Sequence, residues 1–389
     1  MPKLHYQLSY WEQTTFFEQL DVAIIGSGIV GLHAAICLKE QAPNLKIAIF
    51  ERGPLPIGAS TRNAGFACFG SMSELLEDMQ DRSEEEVWTL VEQRWKGLQR
   101  LRQRLGDQAI AYKEFGAYEL FRPEESTLFE QCSAQITSFN KALNRITGHA
   151  NTFEIRSNKR LEFGFKGIEQ LIWNRAEGQI HTGKMMQALL KFAQQIGIHV
   201  YSGLPISALA SEEDHIILQS EVGWKIKANK VLLATNGFSK QFLPELDVQP
   251  ARNQVLITAP IPNLKIKGCF HYDHGYYYFR NIDNRILLGG GRNLAPEEET
   301  TEVFGFRASI QEALKDLLHQ IILPQQEINI EHWWSGILGV GKAKNPIIKW
   351  VQPNLAVAVR LGGMGIAIGS LVGEAAANLI LFEKGLMEG

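Results

Sequence analysis

DVAIIGSGIVGLHAAICLKEQAPNLKIAIFER, residues 21–52, is the stretch that decides the fold. A short apolar strand runs into the glycine-rich turn Gly26–Gly31, a helical pattern follows, and a second apolar strand ends at Glu51. Strand, glycine turn, helix, strand and acid in this order are typical of a βαβ unit that binds a dinucleotide, with the acid about 20 residues beyond the last glycine. The stretch therefore predicts a dinucleotide site at the carboxyl end of the first strand.

Each glycine of this turn has a separate function in such a site. Gly26 makes the tight turn, Gly28 lets the backbone approach a pyrophosphate, and Gly31 lets the helix pack closely on the strand. The N-terminus of the helix presents unpaired N–H groups and a partial positive charge to the phosphates. Glu51 can accept the hydroxyl protons of an adenosine ribose. The motif alone does not distinguish FAD from NAD.

The composition is that of an ordinary soluble enzyme. The chain has 389 residues, 45% of them apolar and 21% charged, and its net charge of −3 does not favour nucleic acid or an anionic membrane as a partner. Its four cysteines are scattered without a CxxC pair, which predicts free thiols in a reducing compartment and no metal site. Residues 1–20 lack an apolar signal core, and the apolar run 361–373 is too short to span a bilayer. We expect a cytoplasmic protein without a membrane span.

Along the rest of the chain, α/β segments alternate with segments of another kind. A glycine-rich loop at 58–65, a helix with a capping box at Ser83, a strand at 117–121 and a second helix at 126–146 follow the βαβ unit. The α/β pattern returns at Gly178. Antiparallel strands are expected at 253–258, 275–280 and 285–288, before a last strand at 355–359 and a helix at 366–381. The nucleotide-binding domain is therefore expected to be discontinuous.

A second glycine-rich turn, Gly363-Met364-Gly365, opens the last helix. Hydride arrival at flavin N5 places negative charge on the N1–C2=O edge of the ring, and backbone N–H groups at a helix N-terminus stabilise such a charge. Residues from Gly363 to Ala367 can supply these groups. The alternative is that the glycines only let the helix pack against the sheet. Beside the first motif, this turn favours a flavin.

Five short motifs mark the chain from its N-terminal region to this last helix. They are Ser9-Tyr10-Trp11, Ser60-Thr61-Arg62-Asn63-Ala64-Gly65, Ala234-Thr235-Asn236-Gly237, Tyr276-Tyr277-Tyr278-Phe279-Arg280 and Gly363-Met364-Gly365-Ile366-Ala367-Ile368-Gly369. In order and spacing they resemble the FAD-dependent amine and amino-acid oxidases, the superfamily of D-amino-acid oxidase, glycine oxidase and sarcosine oxidase. The motifs are most similar to those of the gamma-glutamylputrescine oxidase branch. The resemblance covers nearly the whole chain.

The resemblance implies an α/β fold, in which a Rossmann-like FAD domain of the glutathione-reductase type is interleaved with a substrate domain made of a mixed antiparallel sheet and helices. The expected boundaries are 1–78, 178–248 and 330–389 for the FAD domain, and 79–177 and 249–329 for the substrate domain. FAD is expected to be noncovalent, because the stretch 338–346 lacks the cysteine that links FAD in sarcosine oxidase. The expected FAD contacts are Gly26, Ser27, Gly28, Ile29, Gly31, Glu51, Arg52, Ser60, Thr61, Arg62, Asn63, Ala64, Gly65, Ile206, Ala234, Thr235, Asn236, Gly237, Gly363, Met364, Gly365, Ile366 and Ala367.

The resemblance also implies hydride transfer to flavin N5 from the carbon that bears a neutral amine, which gives an imine that water hydrolyses. Such a site has to orient the C–H bond and exclude water, but it needs no strong acid or nucleophile. Period-two alternation places Tyr276, Tyr278 and Arg280 on one face of a strand, where we expect them to form the catalytic site. The alternative is an aromatic core stripe.

Three positions depart from the family pattern and bear on the substrate. Leu338 stands where glycine oxidase-like members have an arginine that pairs with the substrate carboxylate, and Ala367 stands where sarcosine oxidase has a carboxylate-binding lysine. Leu288 stands near the position at which family members have a lysine that assists oxygen reduction. A buried carboxylate needs a cationic partner, for which Arg280 and Arg292 are the candidates. We expect a small amine or amino acid as substrate, and oxygen or another electron acceptor. The alternatives are an NAD-dependent Rossmann dehydrogenase and a flavin-binding protein without turnover.

Overall fold

The computed structural model describes residues 6–18, 20–324 and 326–382. The strands, in chain order, are β1 (Leu20–Ile25), β2 (Ile47–Glu51), β3 (Phe66–Ala67), β4 (Ala117–Phe121), β5 (Phe153–Ile155), β6 (Gln170–Asn174), β7 (Gly178–Gln179), β8 (His199–Ser202), β9 (Ile206–Ser211), β10 (Ile216–Ser220), β11 (Lys225–Leu233), β12 (Gln249–Thr258), β13 (Cys269–Tyr272), β14 (Tyr277–Ile282), β15 (Arg285–Gly290), β16 (Ile330–Val340), β17 (Ile347–Gln352) and β18 (Leu355–Val359).

The helices, in the same order, are α1 (Tyr10–Phe16), α2 (Ile29–Gln41), α3 (Ala59–Arg62), α4 (Met72–Asp81), α5 (Glu84–Leu105), α6 (Asp107–Ile110), α7 (Ser126–Thr147), α8 (Lys159–Phe163), α9 (Thr182–Gln195), α10 (Ala308–Asp316) and α11 (Gly365–Phe382). α10 continues as a π-helical segment, Leu317–Ile322. Short 3-10 segments lie at Pro123–Glu125, Asn236–Gln241 and Arg292–Leu294.

The chain divides into two compact units, each assembled from separate segments. Unit 1 comprises Met1–Thr61, Gly183–Pro250 and Leu338–Gly389, and unit 2 comprises Arg62–Thr182 and Ala251–Ile337. The first observed boundary lies before the expected one at residue 78, for two reasons. β3 pairs antiparallel with β7, and α4 packs in one apolar cluster with α5 and α7. Both contacts place residues 62–78 in unit 2.

Unit 1 contains a mostly parallel sheet in the strand order β17-β18-β11-β1-β2-β8. β1 lies between β2 and β11 and is parallel to both. β8 and β18 extend the parallel part at either side, and β17 pairs antiparallel at one edge. The first half of β11 pairs antiparallel with β10, which pairs with β9. β2 is buried along its whole length, as is typical of a parallel sheet.

Two glycines let α11 pack against α2 in unit 1. A Cβ atom at Gly369 would lie 2.6 Å from Ile29 Cγ2, and one at Gly373 would lie 2.6 Å from His33 Cβ and 2.8 Å from Val30 O. α11 has 18 residues, so it is longer than the apolar run 361–373, and by length and composition it could cross a bilayer. Its burial against α2 is that of a core helix in a protein interior.

Unit 2 contains a second sheet in the strand order β16-β12-β15-β14-β13-β4-β6-β5. β4 and β13 are parallel, whereas β12–β15, β15–β14, β14–β13, β4–β6 and β6–β5 are antiparallel. Aromatic and aliphatic side chains of this sheet pack with α10 in a large core cluster, which includes the stacked rings of Phe270 and Phe279. A parallel α/β unit interleaved in sequence with a mixed, mainly antiparallel unit confirms the predicted fold class.

Local capping signals were accurate for the long helices. The predicted helix at Ser83 is α5, where the Glu86 N–H donates to Ser83 Oγ at 3.3 Å, and Gly106 follows the helix with a φ of +80°. The expected loop at 58–65 is different, since Ala59–Arg62 forms one helical turn.

Candidate functional site

Three turns follow neighbouring parallel strands at the carboxyl edge of the unit 1 sheet. The turn at Gly26–Gly28 follows β1, Ala234–Gly237 follows β11, and Arg360–Met364 follows β18. The Ala234 N–H donates to Ile25 O at 2.9 Å, which ties the first two turns together. β1 connects to β2 on one side while β11 lies on the other, so this edge is the kind of switch point at which open α/β sheets bind ligands.

The fingerprint glycines are required by close backbone approaches at this edge. Gly26 has a φ of +107°, and a Cβ atom there would lie 2.8 Å from Ala234 O. A Cβ atom at Gly31 would overlap with Gly26 O, so only glycine lets α2 pack on the turn. Gly28 is the N-cap of α2, and a Cβ atom there would lie 3.0 Å from Ser60 Oγ. This cradle fits a pyrophosphate at the start of α2.

Ser60 and Thr61 lie beside this helix start. The Ile29 N–H donates to Ser60 Oγ at 2.9 Å, which places the predicted Ser60 at the first turn of α2. Thr61 Oγ1 donates to Gly58 O at 3.1 Å and thereby stabilises the α3 turn. The structure thus brings Ser60 to the fingerprint, and Thr61 stabilises the turn that carries Ser60.

Glu51 is buried at the end of β2 and is bonded to the same turn. Its Oε2 accepts from Ser27 N–H at 3.1 Å and from Ser27 Oγ at 2.7 Å, and its Oε1 accepts from Gly53 N–H at 3.1 Å. The guanidinium of Arg52 lies 3.7 Å above the ring of Phe238. Glu51 therefore organises the loop as well as presenting a carboxylate at the site of the predicted ribose.

Asn236 fixes the turn that leads to α11. It has a φ of +45°, and its Oδ1 accepts from the backbone N–H groups of Arg360 at 3.0 Å and Leu361 at 3.4 Å. Gly363 is exposed and has open space where a Cβ atom would stand. The predicted residues Met364 to Ala367 form the start of α11, so a second helix N-terminus opens at this edge.

For five of the predicted FAD contacts the structure shows contacts with other parts of the protein, and their contact with FAD stays a prediction. Arg62 donates from Nη1 to Ser335 O at 3.0 Å, and its guanidinium lies 4.4 Å from the ring centroid of Phe304. Three more lie in unit 2: Asn63 Oδ1 accepts from Gly65 N–H at 2.7 Å and from Thr182 Oγ1 at 2.9 Å, and Gly65 O accepts from Arg280 Nη1 at 2.9 Å. Ala64 packs with Val255 and Leu287. The fifth, Ile206, packs in the core of unit 1.

The predicted catalytic residues have different surroundings in unit 2. Tyr276 precedes β14 and is 44% exposed. Tyr278 is half-buried, and its ring meets the ring of Phe66 edge-on at 5.6 Å between centroids. Arg280 is 2% exposed, and its Nη1 donates to Gly65 O at 2.9 Å and to Ile180 O at 2.7 Å. Burial lowers the pKa of the Arg280 guanidinium. Arg280 therefore connects two loops inside unit 2.

Arg292 differs from Arg280 in its burial and in its partners. It is half-buried at the start of a 3-10 turn after β15, and within the described parts of the chain its side chain has no carboxylate partner. Burial raises the pKa of the Tyr278 hydroxyl well above its usual value, and the positive charge of Arg292 acts on it in the opposite direction. Tyr278 therefore stays a neutral hydrogen-bond donor next to a cation.

The sequence analysis missed one group of buried polar residues in unit 2. Cys68, Glu177 and His271 have ligand-type atoms within 4.8 Å of one another. Burial alone would lower the pKa of His271, but the carboxylates of Glu177 and Glu74 outweigh it and raise the pKa to about 9. Cys68, Glu177 and His271 are far apart in the sequence, so their spacing does not indicate that they form a cluster.

A sequence model of the DAO family, FAD dependent oxidoreductase, matches residues 21–379. The probable oxidoreductase OrdL of Rhizobium meliloti (strain 1021) is 24% identical over 381 residues, which cover 93% of this chain and 83% of that protein. Glycine oxidase of Geobacillus kaustophilus (strain HTA426) is 25% identical over 82% of this chain and 80% of that protein.

Solved structures show the same fold. L-proline dehydrogenase from P. horikoshii has a TM-score of 0.75 and 17% identity, and the match covers 96% of each chain. Glycine oxidase from Geobacillus kaustophilus has a TM-score of 0.74 and 19% identity, covering 95% of this chain and 99% of that one.

Proposed function

The chain belongs to the DAO family of FAD-dependent oxidoreductases, and from this membership we propose that it oxidises the C–N bond of a small amino acid to an imine, with the substrate carboxylate bound by Arg292 beside Tyr278. FAD is the cofactor of the family, which sets aside the alternative of an NAD-dependent dehydrogenase. When bound, FAD accepts a hydride from the carbon that carries the substrate nitrogen.

Unit 1 has the residues that would hold the cofactor. The turn from Gly26 to Gly28 and the start of α2 suit a pyrophosphate, because N–H groups and a partial positive charge meet there. Glu51 would accept from the adenosine ribose. The start of α11, from Gly363 to Ala367, would stabilise negative charge on the ring.

The observation that carries the substrate proposal is Arg292, a half-buried cation without a carboxylate partner among the described residues, whose positive charge acts on the Tyr278 hydroxyl. A desolvated carboxylate is stable when a guanidinium and a neutral hydroxyl both donate to it. Arg292 supplies the guanidinium, and Tyr278 supplies the hydroxyl. Arg280, the other candidate, already donates to two backbone carbonyls, so we choose Arg292.

The names of two relatives support an amino-acid substrate. One is a glycine oxidase and the other an L-proline dehydrogenase. Both of these substrates carry a carboxylate next to the carbon that bears nitrogen. The electron acceptor of this chain, oxygen or a carrier, stays a prediction.

The test is anaerobic flavin reduction by stopped flow, with D- and L-amino acids and plain amines as candidate substrates. We expect an amino acid to bleach the flavin. Arg292→Met should slow that reduction roughly a thousandfold, because an unpaired buried carboxylate costs about 3–5 kcal/mol. Tyr278→Phe should slow it less, since it removes one neutral hydrogen bond of about 1 kcal/mol.

Arg280→Met is the matched control, because it removes the same type of side chain from the same unit. We expect a lower melting temperature for Arg280→Met and an unchanged one for Arg292→Met. If a plain amine were the best substrate and reduced the flavin of the parent and of Arg292→Met equally fast, no carboxylate would be bound there. A yellow protein that no compound reduces would identify a flavin-binding protein without turnover.

A further inference from the structure

Cys68, Glu177 and His271, called the Cys–Glu–His cluster here, are brought together by strand pairing in unit 2. β3 and β7 pair antiparallel with Phe66 opposite Gln179 and Ala67 opposite Gly178. The next residue on each side is Cys68 and Glu177, so these two face each other just beyond the short ladder. His271 comes from β13, a strand of the large sheet.

Two atoms of the cluster lack a hydrogen bond although they are buried. Glu177 Oε1 accepts from the N–H groups of Phe69 at 2.7 Å and Gly70 at 2.9 Å, which fixes the carboxylate. Among the residues that the structure describes, Glu177 Oε2 and His271 Nε2 have no hydrogen-bond partner, and they lie 3.7 Å apart. This separation is too long for a hydrogen bond. One ligand atom of each of the three residues lies within 4.8 Å of the other two.

The spacing and the chemistry of these atoms match a small tetrahedral cation. Zn²⁺ binds thiolate at about 2.3 Å and imidazole nitrogen or carboxylate oxygen at about 2.0–2.2 Å, so its ligand atoms lie about 3.3–3.8 Å apart. The observed 3.7 Å between Glu177 Oε2 and His271 Nε2 is in this range. One thiolate and one carboxylate also balance the charge of a divalent ion.

We propose that Cys68, Glu177 and His271 bind one Zn²⁺ ion in unit 2. On binding, the Cys68 Sγ–H bond breaks, the sulphur forms a bond to zinc, and the proton leaves to solvent. His271 gives up the Nε2 proton of its imidazolium form to solvent and binds through the neutral nitrogen, so two protons leave for each zinc ion bound. No electron is transferred.

The surroundings of the cluster suit a metal site. Glu74 Oε2 lies 3.9 Å from His271 Nδ1, on the side of the ring away from Glu177, and a carboxylate at the second nitrogen commonly orients a metal-binding histidine. Cys269 is two residues before His271 on β13, and its Sγ and that of Cys68 donate to the same acceptor, Gly178 O, at 3.3 and 3.9 Å. Cys269 is therefore the candidate fourth ligand.

The experiment measures zinc in the FAD-loaded protein, expressed in zinc-supplemented medium and dialysed against metal-free buffer. We expect one zinc ion per FAD by mass spectrometry of the metal. X-ray absorption at the zinc edge should show sulphur at about 2.3 Å together with nitrogen or oxygen at about 2.0–2.1 Å. Two sulphur atoms per zinc would assign Cys269 as the fourth ligand, and one would assign water.

Cys68→Ala and Cys132→Ala form a matched pair, because both remove a buried thiol from unit 2. Zinc per FAD should fall roughly tenfold or more in Cys68→Ala and stay unchanged in Cys132→Ala. Absence of zinc from the unmodified protein, even after titration with zinc chloride, would overturn the proposal and leave a bridging water between Glu177 and His271. A zinc shell without sulphur, or equal loss in both variants, would overturn it as well. The unmodified protein decides the question if Cys68→Ala does not fold.

Discussion

Glu51 connects the first glycine turn to the end of β2 with a single carboxylate. It accepts three hydrogen bonds from Ser27 and Gly53. A carboxylate offers about four lone-pair sites, so roughly one remains for a ribose hydroxyl. The side chain therefore shapes the loop, and we expect it to contribute to FAD affinity as well.

Glu51→Ala should weaken FAD binding by about one to two decades. The reason is the loss of a charge-assisted hydrogen bond, typically about 1.5–3 kcal/mol. Fluorescence titration of the FAD-free protein with FAD measures the change. Ser27→Ala is the control, since it removes one of the three loop bonds and keeps the carboxylate. An FAD affinity in Glu51→Ala equal to that of Ser27→Ala would assign Glu51 to the loop alone.

The role of a residue in a local motif could be predicted from the sequence, but the hydrogen-bond partners of residues outside such motifs could not. Glu51 follows from its place after a strand in a local motif. Arg280 and Arg292 looked equivalent, because both are arginines near one predicted hairpin. Only the fold shows that Arg280 donates to carbonyls of residues 65 and 180, which are more than a hundred residues apart in sequence.

The packing of α2 against α11 depends on two glycines of α11. The Cβ positions at Gly369 and Gly373 are filled by α2. The sequence analysis weighed packing against flavin binding for the glycines at the start of the helix. In the structure the packing role belongs to Gly369 and Gly373, whose Cβ positions meet α2, whereas Gly363 has open space there and its contact with flavin stays a prediction.

Gly373→Ala should lower the free energy of unfolding by about 1–3 kcal/mol, since an added methyl group meets the Val30 carbonyl in the backbone of α2. Alanine's higher helix propensity, about 1 kcal/mol, opposes this loss. Urea unfolding of the FAD-free protein measures the net effect, so that a change in FAD binding does not enter the comparison with the control variant. In Gly365→Ala the nearest atom would be Leu361 Cδ2 at 3.7 Å, so this control should not be destabilised. Equal stability of both variants would contradict the close packing.

Elements with local signals were predicted well, and those that depend on distant partners were not. β4, β18, α5 and α11 follow from alternation, capping and periodicity in their own residues. The ladder of β3 and β7 has two residues on each strand, more than a hundred residues apart. Its pairing moves the first boundary to Thr61 and creates the Cys–Glu–His cluster, so both were beyond local reasoning.

At the scale of the whole molecule, we expect FAD to be held without a covalent bond. All four cysteines are buried: Cys37 lies inside α2, and Cys68, Cys132 and Cys269 lie in unit 2. Precipitation with acid should give a colourless pellet and a yellow supernatant. Absorbance of the redissolved pellet is the check, and flavin absorbance that stays with the denatured chain would establish a covalent link.

The alternation of patterns along the chain predicted two interleaved units, because each segment carries its own periodicity. The family followed from the resemblance of the short motifs, in their order and spacing, to those of the FAD-dependent amine and amino-acid oxidases. Substrate identity depends on single side chains whose neighbours come from distant segments, and it was therefore open. The cytoplasmic location stays a prediction.

The interleaved order of unit 1 has a consequence for synthesis on the ribosome. α2 is made early, but its partner α11 begins at Gly365, after the whole of unit 2 has been translated. At about 5–20 residues per second, the apolar face of α2 waits roughly 20–70 s for the helix that covers it. During that time the nascent chain exposes Ile29 and Val30, a site on which a chaperone could act.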